Sequence, residues 1–154
     1  MKYLTITLLT LLLSMGALAD MKPLSKYVED YGELDAPAFT YISYRCLGLF
    51  GMMKNITKES TQDWAVEIQP GIESRTKELM LVAYNVWSFE RKDKSWEAFE
   101  ESLKNSIPPI ADIYQTEANN HWINNGTYLD GNILIEGDMA YCGIFLLATR
   151  EDNE

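Results

Sequence analysis

The pattern of apolar and polar residues predicts helices over most of the chain, and the most apolar of them runs from Ala36 to Met53. This stretch is apolar or small on nearly every side and contains one charged residue, Arg45. A helix that is apolar all round has to be covered by other helices. We therefore expect this segment to form the centre of the fold.

Apolar periods of three and four residues predict further helices around this centre. One runs from Ile72 to Phe89, and a last, strongly apolar helix covers Met139 to Ala148. Pro70-Gly71 and Pro108-Pro109 are expected to break or sharply kink the helices that contain them. The stretch from Asn119 to Asn132 is rich in Asn and Gly, which is typical of a turn or an extended loop.

Short polar residues mark the expected helix starts, because their side chains can accept hydrogen bonds from the first free amides. Asp35 is the predicted N-cap of the central helix, Asp93 or Ser95 that of a later one, and Asp130 that of the last. Strand signals are nearly absent. The pattern therefore predicts an all-α fold.

The first twenty residues are typical of a secretory signal peptide. Lys2 supplies the positive end, Leu4 to Leu13 the apolar core, and Ala17-Leu18-Ala19 the cleavage motif. We predict that residues 1–19 are removed and that residues 20–154 form one helical domain in the periplasm or outside the cell. The alternative is a retained membrane anchor, since the uncharged run from Tyr3 to Ala19 is only slightly shorter than the roughly 20 residues of a spanning helix.

Cys46 and Cys142 are the only two cysteines. In an exported protein such a pair predicts a disulfide, although two buried free thiols are the alternative. The fold class expected is therefore a single-domain bundle of four to five helices, with the first and last long helices joined by a disulfide. Gly48 and Gly143, near the two cysteines, are expected to lie where these helices meet.

The chain carries a formal net charge of −10. An acidic surface repels nucleic acid and anionic lipid, so we expect no nucleic-acid partner, and membrane contact only if the signal segment is retained. A basic protein is the candidate partner. The alternative is that the charge serves solubility alone.

Arg45 is the most informative polar residue, because a charge within an apolar helix must be paired or must face a cavity. Asp138 lies one helical turn before Cys142, as Arg45 lies beside Cys46. A disulfide between the two helices would bring both charges to one crossing. We predict a buried Arg45–Asp138 ion pair, with an arginine that holds a ligand in a pocket as the alternative.

Signals for catalysis and metal binding are weak. His121 is the only histidine, and Glu117 precedes it by four residues, whereas the di-iron motif requires Glu-x-x-His. No serine-nucleophile motif, C-x-x-C pair or phosphate-binding glycine loop occurs in the sequence. We therefore predict no catalytic residues, no metal site and no cofactor.

Aromatic residues are numerous, and several lie off the main apolar stripes. Inter-helix packing is one interpretation, and a pocket lined by Tyr41, Tyr44, Tyr84 and Trp87 is the other. Asn55 begins one of two glycosylation sequons and Asn125 the other, which matters only in a host that glycosylates exported proteins.

Two functional hypotheses follow from these observations. The first is an exported helical binding protein, such as an inhibitor or protective partner, that acts through its acidic surface. The second is a carrier of a small apolar or anionic ligand in an aromatic pocket near Arg45.

Overall fold

A computed structural model of the protein describes residues 21–60, 63–89 and 91–151. Within these ranges the chain forms five helices and no strand. They are α1 (Leu24–Tyr31), α2 (Ala36–Glu59), α3 (Asp63–Ser88), α4 (Trp96–Asn125) and α5 (Ile133–Glu151). The prediction of an all-α bundle of four to five helices is therefore confirmed. The predicted signal peptide, residues 1–19, lies outside the described residues.

Helix α2 occupies the central position predicted for the most apolar segment. It packs against α3, α4 and α5, and every residue from Ile42 to Phe50 is buried. Neighbours on several sides explain how a helix without a clear polar face is accommodated in water. None of the helices in the described ranges is both long enough and apolar enough to cross a membrane.

Gly48 allows a close approach of two helices, but the neighbouring helix is α4 rather than α5. A Cβ atom at Gly48 would lie 2.6 Å from Cγ2 of Ile110 and 3.3 Å from the main-chain nitrogen of Ala111. Gly143 has no described atom within 4 Å of the corresponding position. The prediction that both glycines lie between the disulfide-bonded helices is therefore wrong.

Pro70-Gly71 and Pro108-Pro109 do not end their helices, so the break that the sequence offered as one alternative to a kink is wrong. α3 continues through Pro70, and α4 through Pro108 and Pro109. All three prolines are exposed, so water can satisfy the carbonyl groups that lose an amide partner. The apolar residues that flank them, including Ile72 and Ile110, pack in or against the hydrophobic core and hold both helices in register.

Local side-chain caps fix several helix starts. A carboxylate oxygen of Asp35 accepts a hydrogen bond from the amide of Ala38 (2.9 Å), and the Ser95 hydroxyl accepts one from Ala98 (3.2 Å). At α5 the predicted cap, Asp130, is wrong, because Asn132 Oδ1 accepts from the amide of Ile135 (3.2 Å). The loop from Gly126 to Asn132 that precedes α5 is also shorter than predicted, since α4 extends to Asn125.

Candidate functional site

The disulfide between Cys46 and Cys142 joins α2, the first long helix, to α5, the last one. Both residues are fully buried, and their Cα atoms are 5.6 Å apart. The bridge closes a loop with a sequence separation of 96 residues. Because such a long loop has a large conformational entropy when unfolded, closing it stabilises the folded state by about 4–5 kcal/mol in the chain-entropy model.

Arg45 and Asp138 lie in contact beside this bridge, as their spacing from the two cysteines predicts. The Arg45 side chain is 1% exposed and that of Asp138 0%. Nη2 of Arg45 donates to Oδ2 of Asp138, and the Tyr114 hydroxyl from α4 donates to the same oxygen. We call Arg45, Asp138 and Tyr114 the buried charge cluster.

The buried charge cluster also binds the main chain of the N-terminal segment. Nη1 of Arg45 donates to the carbonyl oxygen of Lys22 (2.7 Å), and Oδ1 of Asp138 accepts from the amide of Leu24 (2.5 Å). Nε of Arg45 donates to the Tyr114 hydroxyl (3.2 Å). All three guanidinium nitrogens and both carboxylate oxygens are therefore engaged, which satisfies the condition under which a buried ion pair is tolerated.

The surroundings of the cluster favour a charged Arg45 and a neutral Tyr114. Burial is the main reason that the pKa of Tyr114 lies far above its ordinary value, so the hydroxyl stays protonated and can donate to Asp138. Burial lowers the pKa of Arg45, but the neighbouring Tyr114 and Asp138 outweigh it and the pKa is raised. Arg45 is therefore protonated and Tyr114 is a neutral phenol.

The four aromatic residues predicted to line a pocket fall in two separate places. Tyr41 packs on Tyr27, with ring centroids 4.7 Å apart, and lies 5.9 Å from the Arg45 guanidinium carbon. Tyr84 and Trp87 each pack on Phe99, 5.4 Å away. The Tyr44 hydroxyl forms a hydrogen bond with the Ser102 hydroxyl, and the two oxygens are 2.6 Å apart.

These aromatic residues serve mainly as packing between helices. Neither of the two cavities described below includes Tyr41, Tyr44, Tyr84, Trp87 or Arg45 among its lining residues. These contacts support the packing interpretation, and a ligand pocket beside Arg45 stays a prediction.

The larger of the two cavities is an open groove of about 1270 Å³ between the C-terminal end of α2, the C-terminal half of α4 and the loop before α5. We refer to it as the groove. Its described lining residues are uncharged, being amides, hydroxyl-bearing residues, aromatics and small or aliphatic residues. They are Asn55, Ile56, Ser60, Gln115, Asn119, Trp122, Gly126, Thr127, Tyr128 and Leu129.

Two stacked rings form the aromatic part of the groove. Trp122 and Tyr128 have ring centroids 4.6 Å apart and planes inclined by 14°. Gly126 makes this possible, because its left-handed conformation (φ 76°) ends α4 and its amide donates to the carbonyl of Trp122 at 2.8 Å. The chain then turns back, which places Tyr128 against Trp122. Trp122 nevertheless remains 47% exposed.

The sequence interpretation missed this groove, because it assigned Asn119 to Asn132 as a loop. The apolar residues at four-residue intervals along α4, namely Tyr114, Ala118 and Trp122, keep the asparagine-rich segment helical as far as Asn125. Glycine after this helical period was the available signal for a C-cap at Gly126. No local pattern in the sequence predicted that a residue of the following loop would stack on Trp122.

The smaller cavity, of about 340 Å³, lies beside the histidine. Its lining includes Pro23, Glu117, His121 and Asn132. Nε2 of His121 donates to the carbonyl of Asp130 (2.8 Å), and Nδ1 accepts from the Asn125 amide (3.0 Å). The Nε2 bond thus ties α4 to the loop before α5, whereas the Nδ1 bond lies within α4. Among the described residues, no group of three or more His, Cys, Asp or Glu side chains could hold a metal ion.

Comparison with known proteins found no matching family model, no similar curated protein and no similar solved structure. What the protein does must therefore be inferred from its own surfaces and cavities. Of the two cavities above, the groove is the larger and the one with exposed aromatic rings.

Proposed function

We propose that the protein is an exported binding protein without catalytic activity, and that its ligand binds in the groove. The supporting observation is the half-exposed Trp122, stacked on Tyr128 and bordered by neutral amides in a cavity of about 1270 Å³. Ligand sites commonly combine aromatic surface with a few oriented polar groups in a concave region.

The lining of the groove favours binding over catalysis. Its described residues include no Asp, Glu, His, Cys, Lys or Arg side chain. The described lining therefore offers groups that orient a ligand, and no acid or base side chain of the kind that most reactions require.

Export is supported by the signal-peptide pattern of residues 1–19 and by the disulfide, which is compatible with an oxidising compartment. A mature protein that begins at Asp20 is the expected product. Intact-mass measurement of material from a secreting host tests this, and protein that stays in the membrane with residues 1–19 attached would refute it.

A basic protein that binds the acidic surface is the second candidate. The net charge of −10 supports it, because such a surface attracts cationic partners. Exposed carboxylates are spread over several helices, as Glu29, Glu67, Glu97, Glu101 and Glu136 illustrate. A specific site is therefore better supported in the groove than on any acidic face.

A carrier site centred on Arg45 is the least supported of the candidates. The Arg45 side chain is 1% exposed, and it is engaged by Asp138, Tyr114 and the Lys22 carbonyl. A ligand anion would have to displace the buried Asp138 carboxylate, which would then be left without its cation. Leaving a charge buried and unpaired is strongly unfavourable.

Saturation-transfer NMR with a mixture of neutral, acidic, basic and aliphatic small molecules tests the groove. We expect at least one class to bind the wild type and to lose binding in Trp122→Ala. Trp96→Phe is the matched control, since Trp96 is also a partly exposed tryptophan on α4 but packs on Tyr84 and Phe99.

Two results would count against the groove. Binding that is equal in the wild type and in Trp122→Ala would place the ligand elsewhere. Binding only to a basic probe such as polylysine, falling steeply with added salt, would favour the acidic-surface candidate.

A further inference from the structure

We propose that the ligand of the groove is a neutral oligosaccharide. This inference rests on the proposed function, since it names the chemical class that the groove recognises. It follows from three properties of the lining: the absence of charge among its described residues, the geometry of the aromatic pair, and the arrangement of the amides.

The uncharged lining selects against ionic ligands. None of the described lining residues carries a formal charge, in a protein whose net charge is −10. A phosphate, sulfate or carboxylate ligand would enter a negative field without meeting a compensating cation among the described lining residues. A cationic ligand would meet no carboxylate among the described lining residues. The lining therefore fits an uncharged molecule.

The aromatic pair fits a ring that has an apolar face. Trp122 is 47% exposed while one side of it is stacked on Tyr128, so the indole offers surface to a ligand and is held in orientation. The C–H groups on one face of a pyranose ring are apolar and slightly positive, and they pack against the negative face of an aromatic ring. A flexible aliphatic chain gains less from a flat, oriented surface.

The amides fit a ligand with many hydroxyl groups. Asn55 lies on α2, and Gln115 and Asn119 lie one turn apart on α4. Nε2 of Gln115 donates to Oδ1 of Asn119 (3.1 Å), which orients both groups and leaves Oε1 of Gln115 and Nδ2 of Asn119 for a ligand. A planar amide offers both a donor and an acceptor, and each sugar hydroxyl can act as either.

Other uncharged ligands fit less well. Ile56 and Leu129 are the only aliphatic side chains in the described lining apart from the threonine methyl group, which is little for a fatty chain. A neutral peptide could bond to the amides, but it would use the broad face of Trp122 only through an aromatic side chain. Peptide binding is therefore the outcome against which the saccharide proposal is tested.

The experiment uses residues 20–154 with the disulfide formed, produced in a host that does not attach glycans to Asn55. Three probes, maltotriose, cellotriose and tri-N-acetylchitotriose, are titrated by calorimetry and by tryptophan fluorescence. We expect at least one to bind with a Kd below about 1 mM, which corresponds to about −4.1 kcal/mol. Its affinity should change little with added salt, because no charge pair contributes.

Two variants locate the binding. Trp122→Ala should weaken binding of the probe by about tenfold or more, which is the effect of removing one aromatic ring that stacks on a nucleobase. Asn119→Ala should weaken it by about threefold or more, because one hydrogen-bonding amide is lost. Trp96→Phe should leave the affinity unchanged. Circular dichroism and thermal melting of every variant establish that it is folded.

Three outcomes would overturn the proposal. If none of the three saccharides binds the folded wild type, the ligand class is wrong. If a tripeptide such as Gly-Phe-Gly or an aliphatic alcohol binds in a Trp122-dependent manner and the saccharides do not, the groove remains the binding site and only the saccharide assignment fails. If no class of probe binds in a Trp122-dependent manner, the proposed function fails as well.

Discussion

Among the described residues, two arginine–carboxylate pairs join α5 to other helices, and they differ in how deeply they are buried. Arg45 on α2 meets Asp138 with side chains 1% and 0% exposed, whereas Arg150 meets Glu78 of α3 with side chains 59% and 37% exposed. Nη2 of Arg150 donates to both carboxylate oxygens of Glu78, at 2.6 and 2.7 Å. Good geometry alone therefore does not distinguish the two pairs.

The two pairs differ in which groups satisfy the donors and acceptors that the ion pair itself leaves unused. Around Arg150 and Glu78 the solvent satisfies the remaining donors and acceptors, so breaking the pair leaves two hydrated charges. Around Arg45 and Asp138 the Tyr114 hydroxyl and the main chain at Lys22 and Leu24 do so. Removing one member of the buried pair leaves its partner charged and without water.

The largest expected effect is that of Arg45→Met. It leaves the Asp138 carboxylate buried without its cation, and we expect a loss of about 3–5 kcal/mol in the free energy of unfolding. Urea unfolding followed by circular dichroism measures it. A loss below about 1 kcal/mol, the range of exposed pairs, would remove the distinction between the two pairs.

The double variant Arg45→Met/Asp138→Leu sharpens this first prediction. Replacing a buried pair by apolar residues is often close to neutral, so some stability should return relative to the single variant. The recovery should be incomplete, because the Lys22 carbonyl, the Leu24 amide and the Tyr114 hydroxyl lose their partners. Full recovery would mean that these three groups find other partners at little cost.

Removing the disulfide is expected to have the next largest effect. Cys46→Ala/Cys142→Ala should lower the free energy of unfolding by about 2–5 kcal/mol while the helical content is retained. The buried charge cluster still connects α2 and α5 in this variant, so the measurement separates its contribution from that of the covalent link. Loss of helical structure at neutral pH would show that the cluster alone cannot hold the two helices together.

Tyr114→Phe should lower the free energy of unfolding by less, about 1–3 kcal/mol. It removes one hydroxyl that donates to Asp138 and accepts from Arg45. It also tests the protonation of the cluster. Since burial raises the pKa of Tyr114 above its unfolded value of about 10, the stabilisation is complete below pH 10 and is lost as the pH rises further.

Unfolding measured between pH 8 and pH 11 examines this dependence. In the wild type, stability should decrease above about pH 10, and the slope should be shallower in Tyr114→Phe by at most about 1.4 kcal/mol per pH unit. Identical slopes in the two proteins would mean that Tyr114 ionises in the folded state as readily as in the unfolded one.

The smallest effect is expected for Arg150→Met, which breaks the exposed pair. We expect a change below about 1 kcal/mol, because both partners of the pair are solvated and long side chains lose entropy when they pair. Whatever stabilisation exists should vanish with added salt, in contrast to that of the buried pair. A loss as large as that of Arg45→Met would contradict the role assigned to burial.

Much of the fold was predictable because helix formation leaves local marks. The periods of apolar residues identified the helices, and the caps at Asp35 and Ser95 need only three following residues to form. The positions of Cys46 and Cys142 within two of the apolar helices also predicted the pairing of Arg45 with Asp138, since the bridge fixes the helix crossing. The helix breaks expected at Pro70 and Pro108 do not occur, because packing on α2 outweighs the local cost of a proline at an exposed position.

The candidate site could not be predicted in this way. The groove combines Asn55 from α2 with Trp122 from α4 and Tyr128 from the next loop, and these residues are distant in the chain. Tyr114 likewise joins the buried charge cluster only because α4 packs across α2 beside the disulfide. Local sequence determined which segments are helical, where two of them begin and which charges must be buried. The tertiary structure alone decided which polar groups satisfy those charges and which surfaces remain open, because both depend on how distant helices pack.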